Sequence, residues 1–93
     1  MIDYSDTTVL VTGAASGIGA ALSVQLNARG ARVICADRNE TGLGETLALL
    51  GGDAQAMVCD LSDPDAAAVL VEQSFAVNGR LDLICSNAGF GFG

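Results

Sequence analysis

The residues best suited to chemistry lie in one short run, Thr12-Gly13-Ala14-Ala15-Ser16-Gly17-Ile18-Gly19, with an acid, Asp37, downstream of it. A glycine-rich turn leading from a strand into a helix lets backbone N–H groups approach a pyrophosphate at the positive end of the helix dipole. In this spacing Gly13 makes the tight turn, Gly17 admits the ligand close to the backbone, and Gly19 lets the helix pack against the strand. Ser16 and Ile18 belong to the same turn. Asp37, closing the next apolar run, can accept hydrogen bonds from both hydroxyls of an adenosine ribose, and it repels a 2′-phosphate. At ~4 Å and an effective dielectric near 20, each pair of unit charges costs about 4 kcal/mol, an upper-end figure for a partly solvated site. The expected cofactor is therefore NAD rather than NADP. Arg38 is the competing signal, because an arginine beside the acid can hold a 2′-phosphate. The bland readings are a plain tight turn and a solvated strand-end carboxylate. Strand, helix and acid agree on a nucleotide.

The absences are equally informative. The chain has no histidine, its four basic residues are Arg29, Arg32, Arg38 and Arg80, and Tyr4 is its one tyrosine. A Ser-His-Asp or Cys-His centre, a His-based metal site, a P-loop lysine and a Schiff-base lysine are all excluded. No catalytic residue and no metal ligand is assigned, so the chain's own function is binding. A net charge of −7 with scattered arginines argues against nucleic acid, which needs a clustered basic patch. Cys35, Cys59 and Cys85 are odd in number and each sits in an apolar run, as small buried thiols do. No apolar run approaches the ~20 residues that span a bilayer, and the acidic start lacks the basic head of a secretory signal. The expectation is a cytoplasmic protein with no membrane partner.

The elements that must position these residues follow from the apolar pattern. Short apolar runs at 8–11, 31–36, 54–59 and 81–85 suit strands of a parallel sheet buried on both faces. Between them lie helical patterns at about 16–29, 39–50 and 64–77. Ile18, Leu22 and Leu26 predict one apolar stripe facing the sheet, with Gly30 as the stop. Gly42 and Gly44 each weaken the second helix by roughly 1 kcal/mol relative to Ala. Ser62 is the expected N-cap of the third helix, with Pro64 in its first turn and Asp63 and Asp65 favouring its dipole. Asn78-Gly79 closes it. The order βαβαβαβ, with right-handed crossovers, predicts a Rossmann-type α/β sheet of strand order 3-2-1-4. The third helix then covers the opposite face, and the gap between strands one and four is the switch point where a ligand sits.

The spacing Thr-Gly-x-x-x-Gly-Ile-Gly resembles the cofactor motif of the short-chain dehydrogenase/reductase family. The resemblance continues through Asp37, Cys59-Asp60-Leu61 and Gly79-Arg80-Leu81-Asp82-Leu83-Ile84-Cys85-Ser86-Asn87-Ala88-Gly89, in order along essentially the whole chain. It implies that Asp60, with Leu61 beside it, contacts the adenine ring, and that Asn87, Ala88 and Gly89 line the cofactor cleft and brace the sheet. Ser86 stands where the family usually has a further asparagine.

By the same resemblance, residues 1–93 are the N-terminal part of an incomplete NAD-binding domain, half of a doubly wound fold. Family members run to roughly 250 residues, and their catalytic serine and Tyr-x-x-x-Lys pair lie beyond position 93. The implied whole is a homo-oligomeric oxidoreductase that moves hydride between NAD(H) and a small alcohol or ketone substrate, whereas these residues alone should be inactive. Without the remaining strands, strand four should present an unpaired edge. Two other readings stay open: a stand-alone nucleotide-binding or interaction module, and a methyltransferase binding S-adenosylmethionine, which the Gly-Ile-Gly spacing disfavours.

Overall fold

The computed structural model describes residues 4–87. Strands and helices alternate as β1 (Thr8–Thr12), α1 (Gly17–Ala28), β2 (Arg32–Asp37), α2 (Glu40–Leu47), β3 (Gln55–Val58), α3 (Pro64–Ala76) and β4 (Leu83–Ser86). All pairings are parallel and the spatial order is β3-β2-β1-β4, as the alternation predicted. Register places Thr12 beside Ala36 on one side and beside Ser86 on the other. The C-terminal ends of β1, β2 and β4 therefore finish together.

Side chains of β1 and β2 alternate between two cores. Val9, Val11, Val33 and Cys35 pack with Leu26 of α1 and Leu43 of α2, whereas Leu10, Ile34 and Ala36 pack with Leu70 of α3. Thus α1 and α2 cover one face and α3 the other. Burying a side chain such as Leu43 or Ile34 contributes about 2 kcal/mol.

Three sequence expectations are corrected. The strands are not uniformly buried: β1 is buried throughout, but β3 and β4 are mostly exposed, since each has a paired neighbour on one side within the described residues. Ile18 does not face the sheet. It is 77% exposed, and the buried side of α1 is Gly19, Ser23 and Leu26, with Leu22 partly buried. The helical period was right, but the helix begins at Gly17, and the residue its first turn buries is Gly19 rather than Ile18. Finally, Asp63 rather than Ser62 caps α3, its Oδ1 accepting from the Asp65 N–H at 3.0 Å. The Ser62 hydroxyl instead donates to Asp60 Oδ1 at 2.7 Å.

Other local expectations hold. Gly30 follows α1 with φ 97°, and Gly79, with φ 78°, closes α3 through an N–H donated to the Phe75 carbonyl at 2.9 Å. The cysteines are free, but the expected burial holds for Cys35 alone; Cys59 and Cys85 are only partly buried. Burial pushes the Cys35 thiol above its usual range.

Candidate nucleotide-binding site

The loop from β1 to α1 turns at Gly13, with φ 67°, and enters the helix at Gly17, with φ 60°. Both values lie in the left-handed region that L side chains avoid. The space at a Gly17 Cβ is open, so the backbone there is accessible. Gly19 differs: a Cβ would overlap the Gly13 carbonyl, so α1 packs directly on its own entry loop. Ser16 holds the N-cap position with extended backbone, yet its hydroxyl makes no capping bond, and no acid occupies the first turn of α1. No acid of the helix's own first turn offsets the positive end of its dipole.

Two elements fix the loop. From β2, the Ala36 carbonyl accepts the Ala14 N–H at 3.1 Å, and Asp37 Oδ2 accepts the Ala15 N–H at 3.0 Å. Asp37 Oδ1 also accepts the Asn39 N–H at 3.1 Å. From α2, the Thr46 hydroxyl donates to the Ala14 carbonyl at 2.8 Å, and Gly42 lies against Ala15. An ionised carboxylate offers about four lone-pair sites, so Asp37 retains capacity for two further donors. That matches the two hydroxyls of a ribose.

Asp60 stands at the end of β3, exposed, accepting both the N–H (3.0 Å) and the hydroxyl (2.7 Å) of Ser62. These bonds hold its carboxyl below the usual range, with a smaller contribution from the charge on Arg38. Between the two acids lies Cys59, whose N–H donates to the Asp37 carbonyl at 3.0 Å. Its thiol is pushed up first by burial and then by the charges of Asp37 and Asp60. The end of β2 and β3 is an electronegative neighbourhood in which Arg38 is the exposed cation. Leu61 is partly buried against the Leu10–Ile34 core, so its side chain packs.

At the switch point, Thr12 joins β1 to the chain after β4. Its Oγ1 accepts the Asn87 N–H at 3.1 Å, and its hydroxyl reaches the Cys85 carbonyl at 3.5 Å. Ala88 and Gly89 lie outside the described residues. The structure therefore gathers Gly13, Ser16, Gly17, Ile18, Gly19 and Asp37 at one end of the sheet, with Asp60 at the end of the neighbouring strand and Asn87 just past β4. Sequence reasoning assigned no role to Thr12, Gly42 or Thr46. Thr46 had a detectable signal, as a polar residue four positions after Gly42 on the buried side of its helix. Tyr4 lies at the opposite end, its N–H donating to the Arg29 carbonyl at 2.9 Å.

Comparison with known proteins agrees with this fold. A 1-deoxy-11-beta-hydroxypentalenate dehydrogenase from Streptomyces avermitilis is 48% identical over 86 residues, covering 89% of this chain and 32% of the relative. A versicolorin reductase from Emericella nidulans is 42% identical over 84 residues, covering 86% of this chain and 32% of that protein. Among solved structures, a short chain dehydrogenase from Mycobacterium smegmatis superposes with a TM-score of 0.85 at 38% identity, over 97% of this chain and 41% of that one. A variant of the actinorhodin polyketide ketoreductase, solved with NADPH, gives a TM-score of 0.84 at 34% identity, over 96% and 36% of the two chains. The chain thus spans about a third of the length of the curated relatives it matches, and corresponds to the family's N-terminal portion. The family model described as short chain dehydrogenase matches residues 7–92, and the chain belongs to that family.

Proposed function

We propose that this chain supplies the NAD-binding part of a longer short-chain oxidoreductase. One observation carries the reading: the acid that ends β2 is hydrogen-bonded to the glycine loop that follows β1, at 3.0 Å through the Ala15 N–H. A ribose-binding group and a phosphate-facing loop are thereby locked at one end of the sheet.

The residues present fit the cofactor. The open backbone at Gly17 and the first turn of α1, which carries no acid of its own, with Ser16 and Ile18 beside them, suit a pyrophosphate. Asp37 has acceptor sites left for the ribose hydroxyls, and Asp60 and Leu61 stand on the adenine side. Asn87, with Ala88 and Gly89 after it, would border the cleft beyond β4. When bound, the nicotinamide supplies or accepts a hydride from an alcohol or ketone. The chain's own contribution is to bind and orient.

NAD is favoured over NADP because two acids, Asp37 and Asp60, stand at the ends of β2 and β3 where a 2′-phosphate would add charge, with Arg38 as the one arginine at that end. Equilibrium titration with each dinucleotide tests this. NAD should bind at least about tenfold more tightly than NADP, and Asp37→Ser should erase most of that difference. Equal or tighter binding of NADP by the unaltered chain would overturn the assignment. No dehydrogenase turnover is expected from residues 1–93, which hold no lysine and only the distant Tyr4.

The same reading takes the longer protein as a cytoplasmic homo-oligomer. No helix among the described residues is long and apolar enough to cross a membrane. Leu83 and Ile84 of β4 and Val71 and Phe75 of α3 are about half exposed, an apolar surface that the rest of such a fold would cover.

A further inference from the structure

Among the described residues three buried hydroxyls sit within helices, and they do not behave alike. Ser23 donates to the Gly19 carbonyl at 2.8 Å and Ser74 to the Leu70 carbonyl at 2.7 Å, each four residues back in its own helix. That is the ordinary outlet for a buried helical hydroxyl. Thr46 is equally buried, yet it reaches 32 residues back to the Ala14 carbonyl in the glycine loop, at 2.8 Å. Four residues earlier, Gly42 brings α2 so close to the loop that a Cβ would sit 2.8 Å from Ala15 Cβ and 3.0 Å from the Ala15 carbonyl oxygen. Gly44, on the same helix, faces open space. Both glycines cost helix propensity, but only Gly42 buys a contact in return.

We infer that Gly42 and Thr46 are positioning residues for the phosphate-facing loop. The inference rests on the nucleotide reading above and assigns α2 a part in it. Ala14 and Ala15 are held at four points: Ala36 and Asp37 take their N–H groups, Thr46 takes the Ala14 carbonyl, and Gly42 abuts Ala15. The next residues, Ser16 to Ile18, carry the N–H groups that a pyrophosphate would meet. Donors fixed before the ligand arrives bind it better than donors that must be ordered by it. Asp37 and Thr46 grip adjacent residues, so the loop is clamped to the end of β2 and, separately, to α2.

Calorimetric titration of the 93-residue chain with ADP-ribose and with adenosine separates positioning from general stability, because only ADP-ribose carries the pyrophosphate. Thr46→Val keeps the shape and removes the donor. It should weaken ADP-ribose by about tenfold and adenosine by less than about twofold. Thr46→Ser should restore ADP-ribose to within about threefold of the unaltered chain. Gly42→Ala should repeat the selective loss, and Gly44→Ala should leave both ligands unchanged. If Thr46→Val does not fold, the Gly42→Ala and Thr46→Ser pair gives the same contrast. Equal losses for both ligands, or no loss for either, overturn the inference while leaving the nucleotide reading intact. If the unaltered chain binds neither ligand, both fall together.

Discussion

The two ends of the sheet are both rich in polar groups, and they use them in opposite ways. At the N-terminal end, where the strands begin, charge is matched by charge. Arg80 grips Asp82 through Nε and Nη2 at 2.9 and 2.8 Å, Asp82 also accepts the Thr8 N–H at 2.8 Å, and Arg32 pairs with Asp53 at 3.3 Å. Asn78, with its amide oriented to suit its neighbours, accepts from Thr8 Oγ1 and Arg32 Nε at 3.1 and 3.2 Å and donates to the Arg80 carbonyl. A polar cleft of about 270 Å³ opens there between Asp6, Asn27 and Arg32, but the arginines lining it are already engaged. At the C-terminal end, Asp37 and Asp60 are answered by backbone N–H groups and one serine hydroxyl. One end is closed on itself. The other keeps a helix N-terminus, an exposed Ile18 and spare carboxylate lone pairs. Charges that neutralise each other hold strands in register, whereas charges left with open valences can meet a ligand.

The sharpest way to break this contrast is at Gly19. Gly19→Ala drives a methyl group into the Gly13 carbonyl, and neither backbone segment can yield without moving the loop or the helix. The expected cost is about 2–3 kcal/mol in urea unfolding, with nucleotide binding lost. A variant that keeps its affinity would show that the loop does not depend on this packing.

Acid titration separates the ends next. Asp60 and Asp82 both have carboxyls held below the ordinary range, Asp60 chiefly by its bonds to Ser62 and Asp82 chiefly by Arg80. A lowered folded-state pKa means that the stabilisation is complete above the unfolded value near pH 4. It is lost as pH falls through the lowered folded value. Stability should therefore decline in the region below about pH 4, and each of Asp60→Asn and Asp82→Asn should flatten that decline. Only the first should also change nucleotide affinity. If Asp82→Asn weakens NAD as much as Asp60→Asn does, the division of labour between the ends is wrong.

Much of this was legible in the residues. Strand order followed from four short apolar runs, because parallel strands joined by right-handed crossovers leave few topologies open. The glycine loop and Asp37 were legible because their chemistry constrains residue type: Gly13 and Gly17 sit at positive φ, and Gly19 tolerates no Cβ. What was hidden depends on tertiary contact. Gly42 looked like a flaw in α2, and only the closeness of Ala15 explains it. Ile18 fits the apolar period of α1, but period alone does not reveal that Gly19, packed on the Gly13 carbonyl, takes the buried position of the first turn. Asp63 outranks Ser62 as a cap because Asp60 has already taken the Ser62 hydroxyl. In each case a second partner, distant or local, decides between two locally acceptable choices.

The smallest effect belongs to the Arg32–Asp53 pair, and it is informative because it should be small. The two side chains are 30% and 71% exposed, so water screens the attraction and competes for both groups. Arg32→Met keeps most of the aliphatic stem against the strand and should cost about 0.5 kcal/mol, shrinking further in salt. Nucleotide affinity should not change, since Arg32 begins β2 while Asp37 ends it. Urea melts at low and high ionic strength, run beside an NAD titration, measure both quantities. A large stability loss would mean that the Asn78 bond to Arg32 Nε, rather than the ion pair, ties β2 to the segment before β4. A change in NAD affinity would mean instead that strain at one end of β2 reaches the other, and that the closed end helps to set the open one.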